Sequence, residues 1–503
     1  MDERGGKSVR QVEFDVAVIG GGATGLGVAY DAALRGLRTL LLEKSDFASA
    51  TSSASTKLLH GGVRYLEKAV LERDYGQYRL VKEALRERDS LIRLAPHIAR
   101  YLPIVTPVYS AVEKIYYRTG LRAYDAIARA GKAVRGVGLT ASQTLSELPF
   151  LAPKLQGKSL FGGVKYFDGQ FHDARMAISA AKSARAAGAL LFNYAEATDL
   201  VFDGKRWSIL VSDGVLGAEY EVKAKTLVNA TGPFADNIRR KVSNALPRIK
   251  PSKGIHVFTD KFQARSGFLI PQTGDGRVIF CLPWEGKTMI GTTDDFCETM
   301  DYRVENREIE YLLDEVNRYL QEPLSEKDVT GTMVGYRPLV LKSSVGMRSE
   351  ALIRDHEVEV VRKKNAVHVL GGKWTTFRLM AEDAVNRLFP LLNKPFVKTQ
   401  TLGRSFSDSI EPETYFRFVS RYRFLSEQTK RHLLRYGRDF EKVLDFARRD
   451  GYAPLSEGHP YLSGEYAFAR QFEWVENESD FFRRRLSVGL TEGVRGAQAI
   501  PAG

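Results

Sequence analysis

Gly20, Gly22 and Gly25 are spaced G-x-G-x-x-G, and Glu43 stands 23 residues after the first of them. This grouping has the chemistry of a dinucleotide site. Gly20 permits a tight turn, Gly22 lets backbone approach a pyrophosphate, and Gly25 lets a helix pack closely on a strand. A carboxylate at position 43 can accept from the adenosine ribose hydroxyls, and it disfavours the 2′-phosphate of NADP. Seven Ser and Thr hydroxyls lie between Ser45 and Thr56, Ser52 and Ser53 among them, and can satisfy phosphates or backbone. Gly61-Gly62 marks a turn just beyond. Ala230-Thr231-Gly232 is a small-residue turn suited to the adenosine half. Gly371-Gly372 would let a cofactor ring approach the backbone, and Thr375 and Thr376 open a helix whose start favours negative charge on a reduced ring.

These residues need elements to hold them. The β-branched run Val16, Val18 and Ile19 reads as a buried parallel strand. A small-residue helix through Val28, Ala29, Ala32 and Ala33 follows, then a second strand over Thr39 to Leu42. A lone glycine fingerprint is weak, but strand, glycines, helix, strand and acid in this order make a strong signal. The pattern is helical from about 70 to 94, and strand-like from 162 into a segment at 167–193 where a small-residue helix precedes a further strand. Residues 198–224 read as a meander with turns at Asp203-Gly204 and Asp213-Gly214, and Thr226 to Asn229 as a strand feeding Ala230. Residues 250–300 look β-rich and 305–325 helical; beyond about Lys394 the texture is helical and charged. Pro103 and Pro107 are expected to break the chain.

At 503 residues, with 44% hydrophobic and 27% charged residues, the chain should fold into two or three domains. Cys281 and Cys297 have no metal or redox spacing and read as reduced thiols. The polar start MDERGGKSVRQ reads as neither signal peptide nor membrane span, so a cytoplasmic protein is expected. The net charge of +13 suits an anionic partner: nucleic acid, anionic lipid or a phosphorylated substrate. No zinc-finger spacing or aromatic RNA-binding signature supports nucleic acid. Within 110–135, Lys114, Arg118, Arg122, Arg129 and Lys132 share one helical quadrant, with Tyr116, Tyr124 and Ile127 across from them. Such a stretch can lie on an anionic membrane; Asp125 and Gly120 favour the plainer reading of a solvated helix.

Over nearly its full length the chain resembles the FAD-dependent glycerol-3-phosphate dehydrogenases. The resemblance rests on VIGGGATGLGVAYDAALRG, SSASTKLLHGGVRYLE, APHIARYLPIVTP, KYFDGQFHDAR, LVNATGPFAD, KGIH, GYRPL, IRDHEV and GGKWTTFRLMAEDAV. RYG at 435–437 and EYAFAR…ESDFFRRRL extend it through the C-terminal part. HGGVRYLE and GGKWTTFR are far more specific than the nucleotide fingerprint. Trp374 and Phe377 depart from the family's more frequent Leu and Tyr.

The resemblance implies an α/β architecture: a Rossmann-like FAD-binding domain of the glutathione-reductase type, a β-rich substrate domain and an all-helical C-terminal domain. The expected bounds are 1–95, 160–245 and 335–393 for the first, 96–159 and 246–334 for the second, and 394–503 for the third. It implies oxidation of sn-glycerol 3-phosphate to dihydroxyacetone phosphate, FAD as cofactor, and membrane quinone as acceptor at the inner face of the membrane, with a homodimer left open. The substrate's dianionic phosphate calls for arginine and lysine donors, and Arg64, Arg337, Arg354 and Lys373 each lie in a matching motif, with Tyr65 adding a hydroxyl. His256 in KGIH is the candidate base, as an ordinary imidazole titrates near working pH. Arg337 or Arg354 could stabilise a developing alkoxide, and Lys373 the anionic reduced ring. Lys57 falls in the motif expected around the cofactor, with Gly61 and Gly62. The alternatives are a soluble oxidase reducing O₂ to H₂O₂, a non-catalytic flavin-fold protein that reads modified RNA, and an amino-acid oxidase of the same fold.

Overall fold

A computed structural model describes residues 12–62, 74–128, 134–263, 265–341, 352–353, 356–456 and 459–492. The first strand, Glu13–Ile19, is buried on both faces and runs parallel to Thr39–Leu42 on one side and to Ala218–Asn229 on the other. Leu190–Phe192 extends the sheet beyond Thr39–Leu42, also in parallel. Ala366–Gly371 lies parallel to the end of Ala218–Asn229, from Leu227 to Asn229. The meander is present as Ala195–Phe202, Trp207–Asp213 and Ala218–Asn229. Helices Ala23–Leu34, Asp173–Ala186 and Phe377–Leu392 pack with this sheet around one apolar core that includes Leu26, Met176 and Leu388.

A second, eleven-stranded sheet carries Ile249–Thr259 between Gly331–Leu341 and Lys287–Gly291. It continues through Ile279–Trp284, Gly267–Ile270, Ala99–Val108 and Gly162–Phe171 to Leu58–Leu59. Gly162–Phe171 therefore pairs in the second sheet, although it lies in a stretch expected to belong with the first, and Gly331–Leu341 straddles the expected boundary at 335.

Two expectations for 97–140 are corrected. Pro103 and Pro107 do not break the chain: both sit inside the strand Ala99–Val108, opposite Phe167 and Gly163. N–H directions alternate along a strand, so prolines four apart place both missing donors on one edge, and Gly267–Ile270 borders this strand only at Ile104 and Val105. The second correction concerns Tyr124, which is not interfacial. It is 1% exposed within the helix Ala111–Ala128, and its hydroxyl donates to Asp168 Oδ1 (3.0 Å) and accepts from Gly61 N (2.9 Å). Burial pushes the Asp168 carboxyl up to about 6 despite the Arg88 guanidinium at 2.9 Å. Arg129 and Lys132 lie outside the described residues.

The C-terminal helices Pro412–Val419, Glu427–Leu433, Phe440–Ala447 and Gly464–Phe472 pack around Tyr415, Tyr436 and Phe468. They join the first sheet's helices through buried charge. Arg175 pairs with both oxygens of Glu473 (2.6 and 2.8 Å), and Lys182 with Glu473 (2.7 Å) and Asp439 (3.1 Å). Among the described residues no helix is long and apolar enough to cross a membrane.

Candidate active site

The two sheets meet at a cleft of about 860 Å³, near the upper end of the usual range of roughly 300–1,000 Å³ for ligand sites. The glycine turn forms one end. Gly20 has φ +105°, and a Cβ there would lie 2.7 Å from Ala230 O. A Cβ on Gly25 would lie 1.8 Å from Gly20 O, so helix and strand touch as the spacing requires. Gly22 meets only Ser52 Oγ, at 3.0 Å from its hypothetical Cβ, which leaves its backbone facing the cleft. Ser52 Oγ accepts from Ala23 N (2.9 Å), and Ser52 O accepts from Trp374 Nε1 (2.8 Å). Glu43 lines the cleft while accepting from Gly21 N (2.6 Å) and Ser45 N (2.9 Å). Burial raises its pKa, and each oxygen keeps a second lone pair for a ligand hydroxyl.

At the other end the strand Ile249–Thr259 presents Gly254 and His256 on one face, since side chains alternate along a strand. Arg337, on the neighbouring strand, bonds Asp294 Oδ1, Thr292 Oγ1 and Thr293 O, each at 3.1 Å, and Lys253 O at 3.4 Å. His256 is buried, with Nε2 3.0 Å from Thr56 Oγ1 and Nδ1 without a hydrogen-bond partner among the described residues. Its titration is not where the sequence put it. Burial, with the charges of Arg337 and Lys57, pushes its pKa down to about 3, so the imidazole is neutral throughout the working range. Lys373 follows Gly371 and Gly372, whose φ of +71° and +86° turn the chain into the cleft.

Of the residues expected at a site, Gly20, Gly22, Glu43, Ser52, Ala230, Thr231, Gly232, His256, Arg337, Gly372, Lys373 and Thr375 line this one cleft. Gly25, Ser53, Lys57, Gly61, Gly62 and Thr376 are outside its lining. Lys57 is the clearest departure. Its ammonium is buried against Asp173 (2.7 Å to both oxygens) and Ser53 O (2.7 Å), an internal brace for the hydroxyl-rich loop. Gly61 instead gives its N–H to Tyr124, and Thr376 Oγ1 returns to Lys373 O. Arg64, Tyr65 and Arg354 lie outside the described residues. The sequence reading missed Thr56, which holds His256, and Thr292 and Asp294, which hold Arg337. Thr56 was within the hydroxyl cluster; Asp294 carried no local signal.

Residues 15–387 match the family model described as FAD dependent oxidoreductase, and 398–502 the C-terminal domain of alpha-glycerophosphate oxidase. A mitochondrial glycerol-3-phosphate dehydrogenase of Arabidopsis thaliana is 38% identical over 97% of this chain and 81% of its own length. The chain belongs to the FAD-dependent glycerol-3-phosphate dehydrogenase family. A solved member, the Bacillus halodurans glycerol-3-phosphate dehydrogenase complexed with FAD, superposes with TM-score 0.77 at 28% identity, covering 98% of this chain and 89% of that one. The fold reaches further, to the Mycoplasma pneumoniae L-alpha-glycerophosphate oxidase (TM-score 0.57, 17% identity, 78% of this chain and 98% of that one). The family's cofactor fits the residues present. The glycine turn leaves backbone bare where a pyrophosphate must come close, a carboxylate stands at the ribose position, and the cleft continues to a cationic end.

Proposed function

We propose that this chain oxidises sn-glycerol 3-phosphate to dihydroxyacetone phosphate and passes the electrons to a membrane quinone while resting on the membrane surface. The observation that carries this reading is that one cleft is lined both by the glycine turn and by Arg337, Lys373 and His256. FAD, when bound, supplies the hydride acceptor. The turn at Gly20–Gly22 and the start of the helix at Ala23 would hold its pyrophosphate, Glu43 its ribose, and Gly372 and Thr375 its ring. Arg337, fixed from behind by Asp294 and Thr292, and Lys373 hold the substrate phosphate, with Arg64, Tyr65 and Arg354 as further contacts. His256 takes the proton of the C2 hydroxyl as the C2 hydride leaves. With Nε2–H donating to Thr56, Nδ1 carries the lone pair that accepts it. A phosphate dianion in the cleft offsets the cationic charges that hold the imidazole pKa down, which strengthens it as a base when substrate is present.

The helix Ala111–Ala128 supports the membrane half of the reading. Val112, Ile115 and Tyr116 are 77%, 68% and 50% exposed, and Arg118 and Arg122 are exposed on the same helix. The test is spectroscopic. Anaerobic glycerol 3-phosphate should bleach the flavin absorbance of the purified holoenzyme, and a soluble quinone analogue should restore it faster than O₂. Rapid peroxide formation without quinone would make the chain an oxidase instead, and no bleaching would remove the substrate assignment.

A further inference from the structure

Between Glu473 and Arg485 the C-terminal chain grips the loop that follows Glu43. Asp46 is fully buried and accepts from Arg485 Nη1 and Nη2, both at 2.9 Å, and from Arg484 Nε at 2.5 Å. Arg485 is itself buried and held by Glu473 O. Phe47, the next residue, meets Trp474 edge to face at 5.4 Å, and a Cβ on Gly21 would lie 2.6 Å from the Phe47 ring. Ala48 N donates to Gly21 O at 3.0 Å. The end of the adjoining strand Leu190–Phe192 is tied the same way: Asn193 Nδ2 donates to Trp474 O and Tyr194 Oη to Asp480, both at 2.7 Å. Tyr194 N and Ala195 N then donate to Ser45 O and Glu43 O.

We propose that residues 473–485 are a clamp on the dinucleotide end of the cleft, with Arg485 and Trp474 as positioning residues that act through Asp46 and Phe47 on Gly21 and Glu43. The inference rests on FAD occupying this cleft. A hydroxyl-rich loop left to itself would lose its freedom only on binding, and that ordering would be subtracted from affinity. Held in place beforehand, the loop meets the ligand already ordered. A buried carboxylate shared by two guanidiniums is weak evidence for stability as such, because desolvation offsets most of its attraction. Its position, one residue from the ring that abuts the fingerprint, gives it another use. Coupling is reciprocal, so a bound dinucleotide must in turn stabilise 473–485.

Two measurements decide the matter. In the wild-type chain, amide hydrogen exchange at 474–486 should slow by about 5- to 150-fold when FAD is restored to protein from which it was removed. Unchanged exchange there overturns the clamp. In the holoenzyme, Arg485→Lys and Trp474→Leu should release FAD faster by a factor in that range, about 5- to 150-fold, read as free-flavin fluorescence after dilution. An unchanged release rate in folded variants likewise overturns it; should both variants fail to fold, the wild-type exchange result stands alone. Gly22→Ala separates this from the placement of FAD, since the added methyl would meet Ser52 and nothing of 473–485 within 4 Å. If Gly22→Ala leaves FAD binding untouched, the placement fails; if Gly22→Ala weakens binding and the clamp variants do not, the clamp fails.

Discussion

His256 and Arg337 reach the cleft because a bare glycine faces each of them. A Cβ on Gly254 would lie 2.7 Å from the Arg337 guanidinium nitrogens, and one on Gly291 would lie 2.3 Å from the His256 ring. Gly291→Ala should therefore displace the imidazole and lower kcat by about 10²-fold, the usual penalty of an ångström's misplacement, with FAD content unchanged. Replacing the group outright is more severe: His256→Gln should lower kcat by about 10²–10⁴-fold, and a loss under about threefold would remove it from the role of base. Lys57 behaves differently. Lys57→Met would strand the buried Asp173 carboxylate, so it should lower stability by about 3–5 kcal/mol in denaturant unfolding. The residue types at the site were legible because each has a local chemical signature. Partnerships were not: Lys57 meets Asp173, and Arg337 meets Asp294, across folds of the chain that no local spacing reveals.

The fingerprint unit from Glu13 to Glu43 was readable because everything it needs is contiguous: strand, turn, helix, strand and acid. The helix Ala111–Ala128 shows the limit of that reasoning. A helical wheel separates faces without saying what covers them, and Tyr124 went inward because Gly61 and Asp168 offered its hydroxyl partners. Lys114 is likewise drawn to Leu139 O (2.6 Å) and lies over the Phe161 ring. What remains outward is Val112, Ile115 and Tyr116 with Arg118 and Arg122. Changing Val112, Ile115 and Tyr116 together to Ser should abolish co-sedimentation with anionic vesicles, since each buried side chain is worth about 1.5–3 kcal/mol. Activity with a water-soluble quinone should survive. Undiminished co-sedimentation would place membrane contact elsewhere.

Acid should loosen the assembled chain. Burial pushes His97, His172 and His368 down to about 4 and His256 to about 3, and it lowers His432 as well. The unfolded chain binds protons at these imidazoles below about pH 6.5 while the fold refuses them. Stability from this source is thus complete above about 6.5 and is lost as pH falls toward 4. Asp168, raised to about 6, and Asp31, Glu43 and Asp125, raised as well by burial, have the opposite sign, but they are four groups against five. The melting temperature should fall from pH 7 to pH 5, and a constant or rising value would contradict these burial effects. The interleaved sheets have another consequence, during synthesis. Glu13 pairs with Lys223, and Leu227 with Ala366. At about 5–20 residues per second, the first strand, once joined to Thr39–Leu42, waits roughly 10–40 s for its second parallel neighbour, Ala218–Asn229, to leave the ribosome. For that interval one edge of the strand stands unpaired, the kind of exposed edge that makes a nascent chain prone to aggregation.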